Sequence, residues 1–74
     1  MANNKEMIYD FYGKIIGSIV TQPNGDKIAY DFYGKILGRY SKQYNRTYDL
    51  YGKIIATGDA TSALVWNANN KKNK

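Results

Sequence analysis

The chain contains three copies of a nine-residue unit, so its fold must hold three related parts. The copies read YDFYGKIIG at residues 9–17, YDFYGKILG at 30–38 and YDLYGKIIA at 48–56. Six of the nine positions are identical in all three copies, and the remaining positions vary only between Phe and Leu, Ile and Leu, or Gly and Ala. Such close repetition within 74 residues is not a product of chance.

Each unit contains the pattern Asp-x-x-Gly, which is typical of a type I turn that ends in a glycine. The Asp carboxylate accepts hydrogen bonds from backbone N–H groups that follow it, and glycine adopts a positive φ without a Cβ penalty. Aromatic and β-branched residues on both sides favour strands, so each turn is predicted to close a β-hairpin. The predicted turn residues are Asp10 and Gly13, Asp31 and Gly34, and Asp49 and Gly52. A helix is disfavoured, because two glycines in a helix interior cost about 2 kcal/mol.

Further turn signals separate the copies, and the strongest is Asn24-Gly25 after Pro23. The sequence therefore predicts an all-β antiparallel meander of about seven short strands, built from three homologous β-hairpin repeats. The strands are expected near 5–9, 14–22, 27–30, 35–42, 46–48, 53–57 and 61–67. An open twisted sheet, stacked hairpins and a small pseudo-threefold barrel all fit this pattern. Residues 1–66 are predicted to form the domain and 67–74 a disordered Asn/Lys-rich tail.

In general plan, the alternation of aromatic residues and glycines resembles the hairpin repeats of bacterial cell-wall-binding modules. The resemblance implies a fold of successive β-hairpins. Those repeats are rich in tryptophan, whereas this chain has a single tryptophan, Trp66, outside the three copies.

The residue types that are missing exclude several kinds of chemistry. There is no His and no Cys, which excludes Ser-His-Asp and Cys-His nucleophile systems, zinc fingers and disulfides. The Gly-Lys pairs of the repeats lack the remainder of a phosphate-binding loop. Capping the turns already gives the repeated Asp residues a local role, and the neighbouring lysines disfavour a cation site. The sequence therefore predicts no enzyme activity, no catalytic residue, no metal and no cofactor.

The charge of +5 is concentrated near the end of the chain. Lys71, Lys72 and Lys74 lie within the last four residues, and the remainder is nearly balanced. No apolar segment approaches the roughly 20 residues that span a bilayer, and no secretory signal is visible. We therefore expect a cytoplasmic protein without a membrane span.

Three residue types recur around the turns and are the candidates for binding a partner. The residue after each Asp is large and apolar although it lies at a turn tip, so it either packs on a neighbouring repeat or forms an exposed patch. The tyrosines either pack across strands or stack on sugars or bases, and the lysines flank them. The candidate residues are Phe11, Tyr12, Lys14, Phe32, Tyr33, Lys35, Leu50, Tyr51 and Lys53.

A chain of this size buries only about 60% of its surface, so association is a further way to cover apolar side chains. The predicted function is that of a non-enzymatic interaction module that binds itself or another protein through its repeated Tyr/Phe/Lys surface. The alternative is a module that binds carbohydrate or single-stranded nucleic acid through its row of tyrosines.

Overall fold

A computed structural model describes residues 4–72, with side chains for residues 4–70, and consists of one antiparallel sheet followed by one helix. The strands are β1 (Asn4–Tyr9), β2 (Ile15–Thr21), β3 (Lys27–Asp31), β4 (Ile36–Ser41), β5 (Arg46–Asp49) and β6 (Ile54–Thr57). The helix α1 spans Thr61–Lys72. The predicted antiparallel, sheet-dominated fold is therefore confirmed in its main feature.

The sheet is open, and its strand order β1-β2-β3-β4-β5-β6 is the order of the sequence. Strands β2 and β3 pair with each other, as do β4 and β5, so the hairpins join edge to edge in one continuous sheet. The alternatives of a barrel and of stacked hairpins are not confirmed, since β1 and β6 end the strand order and all six strands share one sheet.

The described residues contain six strands, and the predicted seventh strand at 61–67 is wrong because these residues lie in α1. Residues 60–72 contain no Gly or Pro and include Ala, Leu and Lys, which favour a helix. Thr61 and Val65, four residues apart, are both buried, which matches one face of a helix. The helix also includes residues 67–72 of the predicted tail, while residues 73 and 74 lie outside the described part.

Helix α1 packs on one face of the sheet, across β2, β3 and β4, and forms the core with it. The buried apolar residues are Ile16, Ile19, Ala29 and Val65, and Ile8, Leu37, Leu64 and Trp66 pack against them. Among residues 4–72, no helix lies on the opposite face. We call it the helix-free face.

A polar latch joins the start of α1 to the sheet. The buried hydroxyl of Thr47 donates to the carbonyl oxygen of Gly58 (2.7 Å) and accepts from the backbone N–H of Ala60 (2.9 Å). Asp59 accepts from the backbone N–H of Thr61 (3.0 Å) and forms an ion pair with Lys27 on β3 (2.6 Å). The chain is thereby held where it leaves the sheet and begins the helix.

The ion pair changes the acidity of both partners. The hydrogen bond to Asp59 raises the pKa of Lys27 above its ordinary value. Partial burial raises the pKa of Asp59, but hydrogen bonds from Lys27 and Thr61 outweigh burial and hold that pKa below its ordinary value. Both ions are therefore favoured in the folded chain.

Candidate functional site

The three repeated turns lie together at one end of the sheet. They connect β1 to β2, β3 to β4 and β5 to β6, and in a sheet whose strand order follows the sequence these connections share one end. We call this end the turn edge; it consists of residues 10–14, 31–35 and 49–53. The other two connections, at 22–26 and 42–45, lie at the opposite end.

The same hydrogen bonds shape each turn. Oδ1 of Asp10 accepts from the backbone N–H groups of Tyr12 (2.8 Å) and Lys14 (2.9 Å), and Gly13 has a φ of +79°. The corresponding distances at Asp31 and at Asp49 are again 2.8 and 2.9 Å. The carboxylates therefore fix the backbone of the turns, and the three tips have the same local shape.

The side chains at the tips are exposed. Phe11 and Tyr12 are 92% and 93% exposed, and Tyr51 is 87% exposed. Tyr33, Phe32 and Leu50 follow at 74%, 55% and 49%. Of the two sequence-based alternatives for the tips, the exposed patch describes these values better than packing on a neighbouring repeat does.

Two ring contacts orient the aromatic tips. Phe11 lies against Trp66 of α1, with ring centroids 5.3 Å apart and planes tilted by 45°. Phe32 meets Tyr33 edge to face, also at 5.3 Å. The helix thus reaches the turn edge and contacts the first tip through Trp66.

The turn edge carries charges of both signs. Lys14, Lys35 and Lys53 are exposed, and each follows a turn whose Asp lies four residues earlier in the chain. Three lysines and three aspartates balance one another along this edge. The edge therefore lacks the strong positive field that usually attracts a nucleic-acid backbone.

The structure divides the repeat tyrosines into two groups. Tyr12, Tyr33 and Tyr51 are at the turn edge. Tyr30 pairs with Ser18 and Ile36, one position away from Ala29, which is buried beneath the helix. Because neighbouring side chains on a strand point to opposite faces, Tyr30 lies on the helix-free face. Tyr9 and Tyr48 occupy the equivalent positions, opposite Ile15 and Ile54, so the six tyrosines do not form a single row.

Two clefts open between the turn edge and α1. The smaller, of about 150 Å³, lies between the first two turns and includes Lys14, Asp31, Phe32, Tyr33 and Asn69 in its lining. The larger, of about 570 Å³, is mostly apolar. Its walls include Leu37, Leu50, Tyr51, Ile55 and Leu64.

Sequence reasoning missed the contribution of the helix to this site. Trp66 and Asn69 come from α1, in a segment predicted as strand and tail. The available signal was the run from Ala60 to Lys72 without Gly or Pro, together with the four-residue spacing of Thr61 and Val65.

Comparison with known protein families, curated proteins and solved structures finds no match to this chain. Within residues 4–72, no helix is long and apolar enough to cross a membrane. The interpretation of function therefore depends on the geometry of the turn edge.

Proposed function

We propose that the chain is a small non-enzymatic interaction module, built from three homologous β-hairpins, that associates through its turn edge with a second copy of itself or with another protein. The observation that supports this function is the high exposure of the apolar tips, with Phe11 and Tyr12 both above 90%. Such a cluster of exposed rings at one end of a small domain is typical of an interaction site.

Burial of these side chains supplies the driving force. Covering one large apolar side chain contributes about 1.5–3 kcal/mol. Tyrosine is enriched in interfaces, since it offers a rigid ring and a hydroxyl group at low entropic cost. The Asp-capped turns already hold the tips in shape, which reduces the ordering that binding requires.

The charge pattern favours association between copies. Each turn edge carries Lys14, Lys35 and Lys53 beside carboxylates. A twofold arrangement puts the same surface on both sides of an interface, so lysines of one copy can face carboxylates of the other.

The test removes the tyrosines of the tips. We expect the variant that combines Tyr12→Ser, Tyr33→Ser and Tyr51→Ser to remain monomeric at concentrations where the wild-type chain gains mass. Light scattering after size exclusion measures this difference, and circular dichroism checks the fold. Tyr44→Ser is the matched control, because Tyr44 is 60% exposed but lies at the opposite end of the sheet.

A wild-type chain that remains monomeric at every concentration would remove self-association from the proposal. Pull-down experiments with the wild-type chain and the triple variant then test binding to another protein. A partner that both chains retain equally would contradict a role for the turn edge.

The smaller cleft favours carbohydrate binding as a second candidate function. It combines the rings of Phe32 and Tyr33 with the polar side chains of Lys14, Asp31 and Asn69. Aromatic faces and a few hydrogen-bonding groups are the usual elements of a sugar site. Titration with oligosaccharides and with single-stranded oligonucleotides at two salt concentrations separates the ligands, since only nucleic-acid binding weakens steeply with salt.

A further inference from the structure

The two outer edges of the sheet are related by the internal repeat. Where β2 meets β3, Gly17 is paired with Asp31, and where β4 meets β5, Gly38 is paired with Asp49. In each of these two strand pairings, the last residue of one nine-residue unit lies beside the Tyr-Asp pair that begins the next unit. The same pair stands at the end of β1, as Tyr9 and the following Asp10, and in the described residues no strand precedes β1.

The outer edge of β1 presents backbone N–H and C=O groups with which no other described strand pairs. The N–H of Asp10 donates to the carbonyl oxygen of Lys14 across the first hairpin (2.9 Å). Backbone groups alternate in direction along a strand, so those of Met7 and Tyr9 point away from β2. An exposed edge of this kind is a template for an added strand.

A glycine is needed in the strand that occupies such an edge. A Cβ atom on Gly17 would collide with the carbonyl oxygen of Tyr30 and lie 2.6 Å from Val65. A Cβ atom on Gly38 would collide with the carbonyl oxygen of Tyr48 and lie 2.7 Å from Leu64. The neighbouring strand therefore approaches too closely for any side chain at either position.

The third unit differs at this position. It ends in Ala56, on β6, where the first two units end in Gly17 and Gly38. Suppose that β1 of a second copy added to β6 in the register that β2–β3 and β4–β5 share. Ala56 would then face Asp10 of that copy. The Cβ atom of Ala56 would then collide with the carbonyl oxygen of Tyr9 of that copy.

We propose that the outer edge of β1 is a strand-acceptor surface for an extended segment with glycine opposite Asp10, and that Ala56 excludes the chain's own β6 from this surface. Repeat proteins need terminal units that do not join further units, because their two ends otherwise fit each other. A head-to-tail contact between β6 and β1 is heterologous, so it would grow into rings or filaments of many copies. Ala56 thus keeps copies of the chain from extending one another's sheets through β6.

The first test is the substitution Ala56→Gly, which removes the Cβ atom that keeps β1 of another copy from pairing with β6. We expect this variant to form species larger than those of the wild-type chain, with a mass that rises with concentration. Ala56→Ser keeps a Cβ atom, so it is expected to match the wild type. Adding Met7→Pro to Ala56→Gly removes an outward N–H from β1 and is expected to abolish the extra association.

Each alternative result contradicts the proposal. An Ala56→Gly chain that is folded by circular dichroism and has the wild-type mass would overturn the role of Ala56. Extra association that persists with Met7→Pro would show that the β1 edge is not the acceptor. These comparisons are made relative to the wild type, so they do not depend on association through the turn edge.

The second test probes the β1 edge of the wild-type chain directly. A synthetic peptide of residues 14–21 contains the strand that fits the equivalent internal edge, with Gly17 in register. We expect this peptide to shift the amide resonances of β1, and the same peptide with Gly17→Ala to leave them unchanged. Equal binding of both peptides, or binding of neither, would refute the acceptor surface.

Discussion

At the scale of single residues, the glycines of one repeat serve two different purposes. Gly34 adopts a φ of +84°, and a Cβ atom there would meet nothing within 4 Å. Gly17 and Gly38 have no such φ but lie against a neighbouring strand and the helix. The Asp-x-x-Gly pattern predicts the first purpose, whereas the second becomes visible only when the partners across the sheet are known.

The turn glycine is tested by a pair of substitutions at Gly34. We expect Gly34→Val to lower the free energy of unfolding by at least about 1–2 kcal/mol, because a β-branched side chain is strained at positive φ. Gly34→Asn is expected to cost less, since Asn tolerates this conformation. Urea unfolding of both variants measures the difference, and equal losses would contradict conformational strain as the cause.

At the scale of elements, helix α1 buries only a narrow face against the sheet. Among its residues up to Asn70, only Thr61 and Val65 are buried, and the latch of Thr47, Asp59 and Lys27 holds its start. A helix with so narrow a buried face has a weak sequence pattern. The strand predicted at 61–67 is wrong because this helical pattern is weak. In addition, the segment contains Val65 and Trp66, which also favour strands.

The ion pair between Lys27 and Asp59 gives the latch a defined pH dependence. The lowered pKa of Asp59 stabilises the fold above the unfolded pKa of about 3.9, and this contribution is lost as the pH falls through the folded value. The raised pKa of Lys27 stabilises the fold below about pH 10.4, and this contribution is lost as the pH rises through the folded value. The pair therefore acts between about pH 4 and pH 10.

The test compares the wild type with Asp59→Asn by urea unfolding at several pH values. Both side chains are about one-third exposed, so we expect a loss of no more than about 1 kcal/mol at pH 7. The loss is expected to shrink as the pH falls below about 4 and through the lowered pKa of Asp59, where the folded chain's carboxylate becomes protonated. Lys5→Gln, a change at an exposed lysine of β1, is the control, and an Asp59→Asn loss that is independent of pH would contradict the ionic origin.

At the scale of the whole molecule, the sheet is covered by the helix on one face only. Ile19 pairs with Ala29 on the covered face and is buried. The next pair, Val20 and Ile28, lies on the helix-free face and is partly exposed. Ile19 and Ile28, two isoleucines on neighbouring strands, thus lie in different surroundings.

This difference predicts unequal responses to a new charge. We expect Ile19→Lys to lower the free energy of unfolding by more than about 3 kcal/mol, because it places an unpaired ammonium group in the core. Ile28→Lys is expected to cost far less, since its ammonium group can reach water from the helix-free face. Thermal unfolding of both variants checks this, and similar losses would show that both faces are covered in solution.

The sequence predicted the antiparallel meander and the composition of its turns because that information is local. The three Asp-x-x-Gly patterns define where the strands reverse, and the short connections leave little choice of neighbour. The helix, the open sheet and the closeness of Trp66 to Phe11 depend on contacts between distant residues. The same is true of the tyrosines, whose division between the turn edge and the helix-free face follows from the strand register.

The strand order has a consequence for how the chain folds. Every strand pairs with the one before it, so each hairpin can form as soon as its own residues are available. Topologies with such local contacts fold quickly. Helix α1 packs across β2, β3 and β4. The surface that the helix packs on is therefore complete only when these three strands have paired. We therefore expect docking of the helix to be a late step of folding, after β2, β3 and β4 have paired.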